Sequence, residues 1–205
     1  AKKAEITATG FEIETRNKIV SCSIQPVLDF FKNSYYLNLF FDYDGHSFEL
    51  NSTKKTNSSI DLSDLDNIKL IQYKRSETES SFSDKLLESG LSKTENGFFG
   101  LSPKAEKQDP YASIQWVIEN QETLESFGFS IKDLKIDNKK INTQKVTIQF
   151  SNEVKSDWFD IKMTVVCESF EFNFSEIIPN IKNRNRLFLL PNGDYFLIPL
   201  EWMTL

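Results

Sequence analysis

The residues that could do chemistry in this sequence are few, and their spacing rules out most of the chemistry. A phosphate-cradling loop of the Walker type needs two glycines five positions apart, so that backbone amides can converge on an anion. The seven glycines stand at 10, 45, 90, 97, 100, 128 and 193, and none has another five residues later. The dinucleotide pattern GxGxxG is missing as well. His46 is the single histidine. It follows a turn glycine, there is no GxSxG elbow, and a half-buried structural role is the simplest reading. Cys22 and Cys167 are the two cysteines and form no CxxC, so zinc-ligand spacing is absent. Asp157 and Asp160 are close enough in sequence to raise acid–base catalysis. On a strand, however, residues three apart point to opposite faces, so the pair is poorly placed to share a proton or a metal. Asp157 is expected to cap the strand entrance, with Trp158 packed on a neighbour. Two basic clusters remain. Lys182, Arg184 and Arg186 flank the last helix–strand junction, and Lys132, Lys135, Lys139, Lys140 and Lys145 surround a polar loop. Each reads as a solvated face or as a phosphate-contacting edge, and the first cluster is the better candidate for nucleic acid.

The elements that must position these residues alternate between strand and helix. Lys18 to Ile24 is a short strand pattern. Tyr36 to Leu50 reads as a hairpin turned by Asp44-Gly45. Residues 51–66 are polar and rich in Ser and Asn, which predicts a loop, and Ile68 to Tyr73 predicts another strand. A helix follows over Glu77 to Ser89. Ser76 and Glu79 match a capping box, Phe82, Leu86 and Leu87 form its apolar face, and Gly90 stops it. A second helix is predicted over Pro110 to Phe127, with Asp109 as N-cap and Gly128 as its end. Strands then return: Lys145 to Phe150 and Trp158 to Val165, then Phe170, Phe172 and Phe174 alternating with polar residues. A short helix near Ser175 to Lys182 precedes a last hairpin turned by Asn192-Gly193. Tyr36 to Leu50 and Trp158 to Phe172 each place two strands around a short turn and end in Ser-Phe-Glu. A duplicated β unit and chance likeness both account for that echo.

Composition fits a folded chain of one large or two small domains: 205 residues, 39% hydrophobic and 26% charged. Eighteen phenylalanines point to sheets with aromatic cores, or in the sharper reading to a stacking platform for bases. The net charge of −6 opposes a role as the main grip on a phosphate backbone. No apolar run is long enough for a membrane span, and no signal peptide is visible. The two thiols can form one disulfide, but in an intracellular protein they are expected to be reduced and buried.

The last third carries a resemblance. Asp157-Trp-Phe-Asp, then Leu190-Pro-Asn-Gly-Asp and Pro199-Leu-Glu-Trp, stand in the order seen ahead of the motor in bacterial Swi/Snf-type helicases. Gly193 and Trp202 belong to these segments, as do Trp158, Phe159 and Asp160. Tyr73-Lys-Arg-Ser-Glu-Thr-Glu with Leu86-Leu-Glu-Ser-Gly-Leu is similar to an earlier element of that region. So is Trp116-Val-Ile-Glu through Leu124-Glu-Ser-Phe-Gly-Phe. The likeness covers about residues 70–205 and is loose before that.

The resemblance implies an N-terminal fragment of a bacterial, cytoplasmic DNA-dependent ATPase, lying ahead of its two RecA-like lobes. ATP and magnesium are implied for that motor and none for this segment, since the motor's functional residues map to no position here. The implied role is non-catalytic: docking on the ATPase motor lobes of the same polypeptide, with DNA contact weak and sensitive to salt. The zinc element that sometimes precedes this region in the family has no counterpart in the spacing here. The alternative is a protein-interaction module without a nucleic-acid role, using a sheet edge or a Phe-rich face. The expected architecture is α+β: mainly antiparallel sheets with two principal helices, and two related β-rich halves as one option. The expected division is 1–90, a 91–110 linker, and 111–205.

Overall fold

The computed structural model describes residues 12–64, 68–102, 109–131, 133–144, 146–155, 158–167 and 169–204. For 152–155 and 158–161 it is the backbone that is described. In chain order the first half contains β1 (Glu12–Arg16), β2 (Ser21–Asp29), β3 (Ser34–Asp42), β4 (Ser47–Glu49), β5 (Thr56–Asp61) and β6 (Lys69–Lys74). These are followed by α1 (Glu79–Glu88), β7 (Ser92–Lys93) and β8 (Phe99–Gly100). The second half begins with α2 (Ala112–Glu119), α3 (Gln121–Ser126), β9 (Phe129–Ser130), β10 (Lys135–Ile136) and β11 (Lys139–Asn142). It ends with β12 (Thr147–Lys155), β13 (Trp158–Cys167), β14 (Phe170–Asn173), α4 (Ile178–Lys182), β15 (Leu187–Leu189) and β16 (Tyr195–Leu197). The fold is α+β with mostly antiparallel sheets, and the parallel pairs are β1–β6, β2–β9 and β11–β16.

Two meanders dominate. β2, β3 and β4 pair antiparallel in sequence order, and so do β12, β13 and β14. Their strand lengths are 9, 9 and 3 residues in one and 9, 10 and 4 in the other. The two hairpins that echo each other in sequence therefore occupy matching places in two meanders. At the first, Asp44 (φ 60) and Gly45 (φ 115) supply the two positive φ values that a tight hairpin turn needs.

Each meander has its own core. The first core takes Ile24, Leu39 and Phe41 together with Leu86, Ile114, Val117 and Leu124. The second takes Val165, Phe174, Ile177, Leu190 and Trp202. Strand β16 is shared between them: Leu197 faces the first core, while Phe196 and Ile198 face the second. The period of two along a strand makes this possible. The boundary expected at 91–110 does not coincide with a division of the core. Residues on both sides of it pack in the first cluster, and β8 and β9 join the sheet of β2 and β3.

Several local expectations needed correction. The polar stretch 51–66 contains strand β5, paired with β6 from Thr56↔Lys74 to Asp61↔Lys69. As an edge strand it needs little apolar content, so its composition reads as loop. The second helix is broken in two at Asn120 (φ −104, ψ 17), whose side-chain amide donates to the Trp116 carbonyl at 2.8 Å. That side-chain bond competes with the helix ladder. Ser76 and Glu79 do not form a capping box. The N-cap is Thr78, without a side-chain bond, and Glu79 is turned inward. Leu87 is exposed, whereas Leu86 is fully buried. At the end of α1, Gly90 N–H donates to Leu87 O (3.0 Å) and Leu91 N–H to Leu86 O (3.2 Å). This Schellman closure requires the φ of 95 that Gly90 adopts. A capping box does occur at Asn173 and Glu176, at the start of the short 3-10 turn of Phe174–Glu176. No helix among the described residues is long and apolar enough to cross a membrane.

Candidate functional site

The three basic residues expected to form a phosphate edge do not act together. Lys182 closes α4 and is exposed. Arg184 is also exposed, at φ 52. Arg186 is only 2% exposed. Its Nε donates to the Ile198 carbonyl at 2.7 Å, and one terminal nitrogen donates to Gln115 Oε1 at 2.6 Å. The other terminal nitrogen pairs with the Asp109 carboxylate. Burial pulls the guanidinium pKa below its ordinary value, and Asp109 opposes that shift. Phosphate contact through Arg186 is therefore withdrawn, because its donors are spent inside the protein. Asp109 serves two ends: its Oδ1 accepts the Tyr111 N–H at 3.1 Å, just ahead of α2, and its Oδ2 holds Arg186. The pair ties the start of α2, on the first core, to Ile198 of the second.

Arg184 closes α4 in the way Gly90 closes α1. Its N–H donates to Ile181 O at 3.0 Å, and Asn185 N–H donates to Asn180 O at 2.9 Å. An arginine in the left-handed region costs about 1–2 kcal/mol relative to glycine, while a glycine loses about 0.4–1 kcal/mol more on folding. The first effect wins narrowly. Arg184→Gly is expected to stabilise the fold by about 0.5–1 kcal/mol, read as a higher urea midpoint. Arg184 thus carries some backbone strain, and its side chain is exposed, as that of Lys182 is.

The aspartate segment is placed only in part. Asp157 lies outside the described residues. Trp158, Phe159 and Asp160 sit on β13, their backbones paired with Lys155, Val154 and Glu153. Gly193 (φ 89) forms the last hairpin turn, and Trp202 is buried against Phe174 and Phe196 at centroid distances of 5.6 and 6.2 Å. Both belong to the framework of the second core. In the other lysine cluster, Lys140 pairs with Asp133 at 3.7 Å and Lys139 lies over the Tyr195 ring, while Lys132 and Lys145 fall outside the described residues. His46 packs between Phe48 and Tyr73 and lies 3.0 Å from the Asn57 amide through Nδ1, as a structural histidine does. Cys22 and Cys167 are buried in separate cores and are not bridged. Desolvation raises the Cys22 thiol pKa, which keeps it protonated and unreactive at neutral pH. Among the described residues, no three His, Cys, Asp or Glu side chains converge as a metal site.

Sequence reasoning missed one charged network and two surfaces. In the network, Tyr43 Oη donates to Glu79 Oε1 at 2.6 Å and accepts from the Ser76 N–H at 2.7 Å. Arg75 grips Glu79 Oε2 through Nε at 2.8 Å and reaches the carbonyls of Ser52 and Leu50. Desolvation, then the bond to Glu79, raises the Tyr43 pKa. With its polar groups satisfied, this network braces α1 against the first meander.

The first surface is the outer face of the β1–β6–β5 sheet. Ile13, Leu70 and Ile60 stand directly opposite one another across its three strands. Ile71 and Tyr73 alternate with Leu70 and bury the inner face. On the outer face Ile13 is 53% exposed and Ile60 64%. The second surface is the tip between β2 and β3, where Phe30 and Phe31 stand in solvent. A groove of 510 Å³ between α3 and residues 143–144 is lined by Glu119, Glu122 and Glu125, which a phosphate backbone would avoid. The chain matches no protein-family model, no curated protein and no solved structure.

Proposed function

We propose that this chain is a non-catalytic accessory region of a Swi/Snf-type DNA translocase that works by docking on the ATPase motor lobes of its own polypeptide. ATP and magnesium belong to that motor. Support comes first from the ordered segments of the sequence. Several residues of those segments hold framework positions of the fold: the Arg75–Glu79 brace, the Gly90 and Gly193 turns, and Trp202 in the second core.

The observation that carries the docking role is the row Ile13–Leu70–Ile60. An apolar row across a small sheet, left in water beside an edge strand, is what a protein surface covers. The net charge of −6 points the same way. Lys182 and Arg184 provide the weak, salt-sensitive DNA contact. The same row supports the second reading, an interaction module whose partner is a separate protein.

The test uses the full polypeptide that carries this chain. Ile13→Ser/Ile60→Ser is expected to change DNA-stimulated ATP hydrolysis at least several-fold, because each fully covered isoleucine is worth roughly tenfold or more in a contact equilibrium. Lys182→Glu/Arg184→Glu is expected to weaken DNA binding and to reduce its salt dependence. An unchanged ATPase rate in the isoleucine variant excludes docking by this face. A polypeptide without an ATPase motor removes the translocase reading and leaves the second.

A further inference from the structure

We infer that Asn96 is a site of spontaneous deamidation, a modification that needs only water, while Asn192, the other asparagine followed by glycine, is shielded from it. The inference stands apart from the translocase reading. In this reaction the backbone nitrogen of the following residue gives its proton to hydroxide and attacks the asparagine Cγ. The Cγ–Nδ2 bond breaks, ammonia leaves, and a five-membered imide remains. Water then opens the imide at either carbonyl. One product is aspartate. In the other, isoaspartate, the main chain runs through the side-chain carbon. A glycine in second place favours ring closure, because no Cβ obstructs the approach and the backbone turns easily.

The two sites are a matched pair. Both asparagines are exposed. Each stands third in the same kind of turn, Thr94-Glu-Asn-Gly in one and Leu190-Pro-Asn-Gly in the other. Thr94 N–H donates to Phe98 O at 2.7 Å, and Gly97 N–H donates to Thr94 O at 2.9 Å. Leu190 N–H donates to Asp194 O at 2.8 Å, and Gly193 N–H donates to Leu190 O at 2.9 Å. The glycines adopt φ 80 and φ 89. The attacking nitrogens therefore start from equivalent positions.

The side chains do not. The Asn192 amide is tied at both ends to Asp194: Nδ2 donates to the carboxylate at 2.7 Å, and Oδ1 accepts the N–H at 3.0 Å. In the other turn Phe98 takes the place of Asp194. It offers no side-chain acceptor, and its N–H goes to Thr94 Oγ1 at 3.1 Å. Among the described residues none holds the Asn96 amide, so it can rotate toward Gly97 N. Ring closure at Asn192 must first break both bonds, one of them to a charged acceptor. Two such bonds slow a step at least about tenfold.

The modification falls at the end of a sheet. Aspartate at 96 adds a charge beside Glu95, on the rim of a groove that Lys93 also lines. Isoaspartate adds a carbon to the turn, and Asn51 already lies where a side chain on Gly97 would stand. The turn closes the β7–β8 hairpin, which joins β3 through Leu37↔Phe99.

Peptide mapping by mass spectrometry, with fragmentation that separates isoaspartate from aspartate, tests this on the 205-residue chain held folded at mildly alkaline pH. Asn96 is expected to convert at least about tenfold faster than Asn192. In urea, where the tether is lost, the two rates should converge. Asp194→Ala should bring Asn192 to the rate of Asn96 in the folded chain and leave Asn96 unaffected. Equal rates in the folded chain, or faster reaction at Asn192, overturn the inference. So does an Asn96 that stays intact while the unfolded chain converts, and so does an Asn192 rate that neither urea nor Asp194→Ala raises.

Discussion

Arg186→Ala is expected to destabilise the fold by about 3–5 kcal/mol, because it leaves the Asp109 carboxylate buried without its cation. Arg186 also satisfies the Ile198 carbonyl and the Gln115 side chain, so three acceptors lose a donor at once. The bridge joins the start of α2 to the segment after β16, and therefore one core to the other. Urea unfolding should show a lower midpoint. Removing the pair together gives the contrast: Asp109→Leu/Arg186→Met should cost far less than Arg186→Ala, since a buried ion pair adds little over apolar residues of similar volume. A surface, phosphate-gripping Arg186 would give a small change in the single variant and no such compensation.

Glu79→Ala is expected to cost about 3 kcal/mol, by leaving the partly buried Arg75 uncompensated and the Tyr43 hydroxyl without its acceptor. Both partners lose contacts of 2.6–2.8 Å. Glu79→Gln separates this account from the capping box that the sequence predicts. Glutamine serves as well as glutamate in a capping box, so that reading expects almost no change. The buried pairing with Arg75 expects Glu79→Gln to cost about 1–2 kcal/mol, because an amide oxygen accepts the bonds without supplying the charge. The chemical-denaturation midpoints of the two variants decide between them.

Local chemistry was legible in this sequence where a residue type has one dominant use. Asp44-Gly45 and Asn192-Gly193 mark real hairpin turns, and Gly90 and Gly128 end helices. The alternation of Phe170 and Phe172 with Glu171 and Asn173 marks strand β14, while Phe174, read with it, opens the 3-10 turn; all three phenylalanines pack on the second core. What escaped was decided at long range. Asp109 and Arg186 are 77 residues apart, and Tyr43 and Glu79 are 36 apart. Nothing local distinguishes Arg186 from Lys182 and Arg184, although only the latter two are exposed. Strand β5 is polar because β6 supplies its pairing while its side chains meet solvent, so its composition reads as loop. The exposed pair Phe30-Phe31 looks in sequence like core. Only the turn built by Asp29 and Asn33 turns it outward.

The claim at the centre of this account is that the outer face of β1–β6–β5 docks on an ATPase motor in the same polypeptide. Lys74 lies on that face, in the alternation set by Leu70 and Gln72, and is exposed. Amine cross-linking of the full polypeptide, read by mass spectrometry, tests the claim most directly. The account predicts links from Lys74 to the motor lobes that are lost in Ile13→Ser/Ile60→Ser. Links from Lys74 to a separate protein, or links to the motor that persist in that variant, would contradict it.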